Sequence, residues 1–82
     1  MTIPELVIVL NKHVKNMEEN HNESGEFYKS FVSSNGHKIV VYYLASDYVE
    51  ISKQNAIEYL DWLNAGNIGK YSEIKKDLTL KL

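Results

Sequence analysis

Three histidines, eleven carboxylates and six tyrosines are the side chains of this chain that could move protons or hold a metal. His13, His21 and His37 are scattered, with no i,i+4 pair and no Cys to join them. Zinc sites draw on His and Cys at short, fixed spacings, so no metal site is expected. Glu18-Glu19 and Glu58…Asp61 bring carboxylates close in sequence. Acid–base work needs such a group in a cleft with a raised pKa, and on helical sequence these read as solvated charges. Gly66-x-x-Gly69 has the spacing of a nucleic-acid-clamping loop. It lacks the rest of that domain's pattern and reads as a turn. No nucleophile elbow, phosphate-binding loop or dinucleotide fingerprint occurs. The chain is not expected to be an enzyme or to carry a cofactor.

Composition narrows the field further. The 82 residues suit one small domain, 1–82, with 44% apolar and 24% charged side chains, too apolar for disorder. Net charge is −2, and all nine basic residues are Lys. Arg is preferred for bidentate phosphate and guanine contacts, so an Arg-free, mildly acidic chain is poorly suited to nucleic acid. The Leu6–Leu10 run, LVIVL, is too short for a membrane span and lacks the basic flank of a secretory signal. A cytoplasmic location follows as the expectation.

The elements that must position any binding surface can be read from periodicity. Thr2-Ile3-Pro4-Glu5 is a capping box, followed by Ile3, Leu6, Val7, Leu10, Val14 and Met17 at helical spacing. A first helix is expected over Ile3–Asn20, with Asn11, Lys12, Lys15, Asn16 and Glu18 on its wet face and Val9 off the stripe. Phe27–Ile51 reads as three strands. Asn35-Gly36 is a type I′ hairpin signal, which sets Val32 opposite Ile39, Phe31 opposite Val40 and Tyr28 opposite Tyr43. A second turn around Ala45-Ser46-Asp47 returns Tyr48–Ile51 along the middle strand. Ser52, or alternatively Asn55, caps a second helix with stripe Ala56, Tyr59, Leu60 and Leu63, and Gly66 stops it. Ser72 is placed to begin a short helix through Asp77 with Leu78–Leu82 as a docked or frayed tail; the alternation of Leu78–Leu82 also allows an edge strand. The predicted fold class is α+β in the order α-β-β-β-α-(α), an antiparallel sheet of order 1-2-3 with helices packed on one face.

That register makes both sheet faces apolar. One carries Phe27, Phe31, Val40, Tyr42 and Leu44 with Lys29 and Lys38; the other carries Tyr28, Val32, Ile39, Val41 and Tyr43. Two helices cover one face only. The other face meets the C-terminal tail, a second copy or a partner. The face bearing the lysines is expected to be the open one, so Phe31, Val40, Tyr42, Leu44, Tyr48 and Trp62 are the candidate partner-binding residues.

Length, the Lys/Asn-rich and Arg-free style, and the stretches TIPELVIVLNKHVK, ESGEFYKSF and YLDWL together resemble the cytosolic antiholins of T-even phages. The resemblance covers the whole chain and no motif anchors it. It implies a non-enzymatic protein of the host cytoplasm that binds the cytoplasmic segment of the phage holin and delays lysis. Two alternatives are an inhibitor of a host enzyme or defence nuclease, acting through Glu18, Glu19, Glu23 and Glu26, and a homodimer paired through sheet faces.

Overall fold

Thr2 and Glu5 start the first helix, α1 (Ile3–Asn20), by satisfying each other's backbone. The Glu5 amide donates to Thr2 Oγ1 at 3.3 Å, and the Thr2 amide donates to Glu5 Oε1 at 3.1 Å. The Thr2 hydroxyl donates to the same carboxylate oxygen at 2.8 Å. These bonds favour the ionised form and hold the Glu5 carboxyl below its ordinary pKa. The cap is therefore complete at neutral pH and is lost only as pH falls through that lowered value. The computed structural model describes residues 1–44 and 47–74.

Along α1, Leu6, Leu10, Val14 and Met17 are buried as the stripe requires. Val9 is packed against the core and Ile8 is exposed instead. Asn11 departs from the expected wet face. Its Nδ2 donates to the Val32 carbonyl at 2.9 Å, and its Oδ1 accepts from the Val32 amide at 2.6 Å.

A run of turns leads from α1 to the sheet. The Asn22 carbonyl accepts from Gly25, the Gly25 carbonyl from Tyr28, and the Phe27 carbonyl from Ser30. The Asn22 side chain also accepts from the Phe27 amide at 2.8 Å. The first strand, expected from Phe27, begins four residues later, at Phe31. Lys29, at φ +55, breaks the extended run. Phe27 is consequently buried in the core against Tyr43, not on the open face, while Tyr28 is 56% exposed, not covered.

Ser30, just before the first strand, is buried with its Oγ lacking a hydrogen-bond partner. Burying an unbonded hydroxyl is unfavourable. Ser30→Ala is expected to raise stability by up to about 1 kcal/mol, or about 4–8 °C in Tm. Thermal unfolding of the variant measures it; a fall of that size would show that the hydroxyl holds a buried water.

The strands are β1 (Phe31–Asn35), β2 (Lys38–Tyr43) and β3 (Asp47–Ser52), antiparallel in the order β1-β2-β3. The register is Asn35↔Lys38, Val32↔Val41 and Phe31↔Tyr42, so the turn residues are Gly36 and His37 rather than Asn35 and Gly36. Only Gly36 of the two has positive φ, +64, which matches a type II′ turn with Gly first and excludes type I′. The shift moves each partner by two residues. Side chains alternate with period two, so the two faces keep their predicted members within the strands. Burial could not choose between these registers; the observed one sets Phe31 beside Tyr42.

Ser52 Oγ accepts from the Asn55 amide at 3.2 Å and caps α2 (Lys53–Asn64). Ala56, Tyr59, Leu60 and Leu63 are buried. Gly66, at φ +98, ends the helix with its amide on the Leu63 carbonyl. A short helix, α3, occupies 71–74 and buries Tyr71 and Ile74. The expectations for Asp77 and for Leu78–Leu82, like those for Ala45 and Ser46, fall outside the described residues.

Both α1 and α2 pack on the Val32/Ile39/Val41/Tyr43/Ile51 face, which forms the core with them. The predicted α+β architecture is thus the observed one.

Candidate protein-binding face

The face away from the helices is built by β-strand parity alone. It carries Phe31, Ser33 and Asn35 from β1, Lys38, Val40 and Tyr42 from β2, and Tyr48, Glu50 and Ser52 from β3. Phe31, Tyr42 and Tyr48 are direct cross-strand neighbours on one rung. Phe31 stacks on Tyr42 with centroids 4.4 Å apart and planes at 17°. Tyr42 meets Tyr48 at 5.8 Å and 40°. Cross-strand aromatic pairs of this kind stabilise a sheet by about 0.2–1 kcal/mol each. The outer two rings stay open all the same: Phe31 is 45% and Tyr48 58% exposed.

Other candidates fall elsewhere. Val40, on the next rung of the same face, is only 4% exposed and is not available to a partner. Leu44 is exposed just past the end of β2 at φ +52, at the same end of the sheet as the aromatic rung. Trp62 lies on the helical side. It stacks on Tyr59 with centroids 6.1 Å apart, and its Cη2 would be 3.2 Å from a Cβ added at Gly69. The six predicted residues therefore divide into an exposed row with Leu44 beside it, one buried member and one residue that packs the opposite layer.

Beneath the sheet a polar chain ties three segments together. The Tyr59 hydroxyl donates to the Gly69 carbonyl at 2.7 Å. That uses its hydrogen, so the 3.4 Å contact between the two phenols is a bond from Tyr43 to Tyr59. Tyr43 Oη in turn accepts from the Tyr71 amide at 3.0 Å. Burial pushes both phenols above the ordinary tyrosine pKa, with the neighbouring phenol adding to the shift at Tyr59 and Asp47 to that at Tyr43. The Lys70 ammonium sits 5.1 Å from the Tyr43 ring centroid, a cation–π distance. This network is structural; sequence periodicity placed Tyr43 and Tyr59 in the core but could not pair their hydroxyls.

A groove of about 230 Å³ separates the start of β3 from α3, lined by Tyr48 and Val49 on one side and Lys70, Tyr71 and Ser72 on the other. Small-molecule sites run from about 300 Å³ upward, so the groove is too small for such a site. Among the described residues no group of three His, Asp or Glu is placed to hold a metal, and no helix is long and apolar enough to cross a membrane. The aromatic row, with its two outer rings exposed, is a surface of the kind that another polypeptide can contact.

The fold and this face define a small α+β domain with one sheet face covered by α1 and α2 and the other, among the described residues, presenting Phe31 and Tyr48. Compared with known proteins, the chain matches no family model, no curated protein and no solved structure.

Proposed function

We propose that this protein is a non-enzymatic binder that captures another protein on its open sheet face. Within that class it acts as a cytoplasmic antiholin, holding the holin's cytoplasmic segment and delaying lysis. The observation that supports binding is the Phe31–Tyr42–Tyr48 row, whose outer two rings are exposed. Stacking orders the rings before a partner arrives, which lowers the entropy lost on association. The antiholin assignment adds the whole-chain resemblance to that surface.

A pull-down and titration with the holin's cytoplasmic segment tests both statements. Tyr48→Ala and Phe31→Ala should each weaken binding at least tenfold, the size of a hot-spot loss of about 1.4 kcal/mol or more. Both side chains lie outside the core cluster, so circular dichroism should be unchanged. Full affinity in both variants would remove the face from consideration, and no binding by the unmodified protein would remove the holin.

A second reading uses the acidic edge to inhibit a host enzyme or nuclease. Glu23 and Glu26 line one polar hollow with His21, and that clustering is the observation that favours this reading. Charge reversal separates the two modes: Glu23→Lys with Glu26→Lys should abolish a complex made through that hollow and spare one made on the aromatic row.

A further inference from the structure

The two edges of this sheet are treated differently. At the β1 edge, Asn11 bonds both the N–H and the C=O of Val32, so those groups point away from β2. In an antiparallel ladder the direction alternates from residue to residue. Phe31 and Ser33 therefore bond toward β2, and their partners Tyr42 and Val40 bond toward β1. Ile39, Val41 and Tyr43 are left to bond β3 through Ile51, Val49 and Asp47. It follows that the N–H and C=O of Tyr48 and Glu50 point out from the β3 edge. Among the described residues, nothing caps them as Asn11 caps Val32.

We infer that the outer edge of β3 is the docking line, and that an extended, lysine- or arginine-bearing segment of the partner adds there as a fourth strand. The inference rests on the proposed binding function and specifies its geometry. Unpaired backbone groups in a row call for another backbone. Tyr48 and Glu50 present their side chains on the open face beside that row, and both are exposed. An added strand would thus lay an apolar residue against Tyr48, at the end of the aromatic rung, and a basic one against Glu50. Asp47 is exposed at the start of the same strand, and among the described residues neither carboxylate has a cationic partner. Opposite charges across strands are favourable and like charges are not. A second copy would bring its own Asp47 and Glu50 to this line, so a basic segment is the better-matched occupant.

The test uses the full-length protein, isotopically labelled, and a synthetic heptapeptide, Thr-Lys-Thr-Val-Thr-Lys-Thr. In the paired register its Lys and Val residues share the open face and exchange backbone bonds with Tyr48 and Glu50. Saturating peptide should slow amide hydrogen exchange at Tyr48 and Glu50 at least tenfold and leave Val32 unchanged. The same peptide N-methylated at its Lys and Val residues should give no protection, and a version with Glu for Lys should bind at least tenfold more weakly. Glu50→Pro, which removes one outward N–H at an edge position where proline is tolerated, should abolish protection at Tyr48 with the sheet intact. Shifts at the Phe31, Tyr42 and Tyr48 rings without protection at the two amides would overturn strand addition and leave the binding face standing. Equal affinity for the Lys and Glu peptides would overturn the basic occupant. Protection that grows with protein concentration and no peptide would assign the edge to self-pairing instead. Absence of any effect at rings and amides would overturn the inference outright.

Discussion

Tyr59→Phe is expected to lower stability by about 1–3 kcal/mol, and Tyr59→Ala by about 3–5 kcal/mol. The Phe variant keeps the ring and its contacts with Trp62 and Tyr71. What it removes is the donor to the buried Gly69 carbonyl and the acceptor for Tyr43. A loss of about 2 kcal/mol moves Tm down by about 8–16 °C in a domain of this size. The Ala variant also empties a fully buried ring site. Total stability for a chain this long is about 4–12 kcal/mol, so that variant should lose much of its cooperative transition. Urea titration of both against the unmodified chain measures the difference. Equal midpoints for Tyr59→Phe and the parent would mean that the phenol chain adds nothing.

The same chain sets the alkaline limit of the fold. Both phenols are raised in the folded state by burial. Below about pH 10 they are neutral in folded and unfolded chains alike, and their contribution is complete. Above it the unfolded chain loses these protons while the native state keeps them, so stability falls with rising pH. The slope is about 1.4 kcal/mol per pH unit for each phenol. Tyr59→Phe should reduce this part of the slope, leaving Tyr43 alone, which unfolding curves between pH 9 and 11.5 will show.

Asn11 carries the second large effect. Asn11→Leu is expected to destabilise the fold by about 2–4 kcal/mol, because it leaves a backbone donor and acceptor of Val32 unpaired beneath a helix. The apolar replacement is of similar size and a better helix former, so neither lost volume nor helix propensity accounts for a loss. Asn11→Asp keeps the acceptor for the Val32 amide but sets a carboxylate oxygen against the Val32 carbonyl. Its cost should fall between the two. Hydrogen exchange gives the local reading: the Val32 amide should exchange at least tenfold faster in the Leu variant than in the parent, beyond what the global change explains. If Asn11→Leu is as stable as the parent, the β1 edge is held by apolar packing and not by the amide.

The exposed row follows a different logic from these two sites. Phe31 and Tyr48 lie outside the core cluster, so their loss should spare the fold and appear in binding. Tyr59 and Asn11 should do the reverse at first, altering stability before affinity. Measuring both quantities on all four positions separates a surface used for recognition from the framework that presents it.

Local chemistry determined much of this protein from the sequence alone. Helix boundaries at Ile3–Asn20 followed from a capping box and a 3.6-residue stripe, and Ser52 and Gly66 bracketed α2 for the same kind of reason. Strand parity assigned the faces, since a two-residue change in pairing partner does not alter which side a chain atom faces. That is why Phe31, Tyr42 and Tyr48 were legible as one surface even though the turn was placed one residue early. Tertiary structure decided what parity and periodicity leave open. The left-handed Lys29 took Phe27 into the core, and Val40 on the central strand was buried. Packing of α2 carried Trp62 to the other layer, and an Asn expected in water closed one edge of the sheet. Each of these depends on a neighbour distant in sequence, with Asn11 and Val32 the clearest case. The amide of Asn11 finds its partners only after helix and strand have met, and the phase it imposes on the ladder is what leaves Tyr48 and Glu50 facing outward.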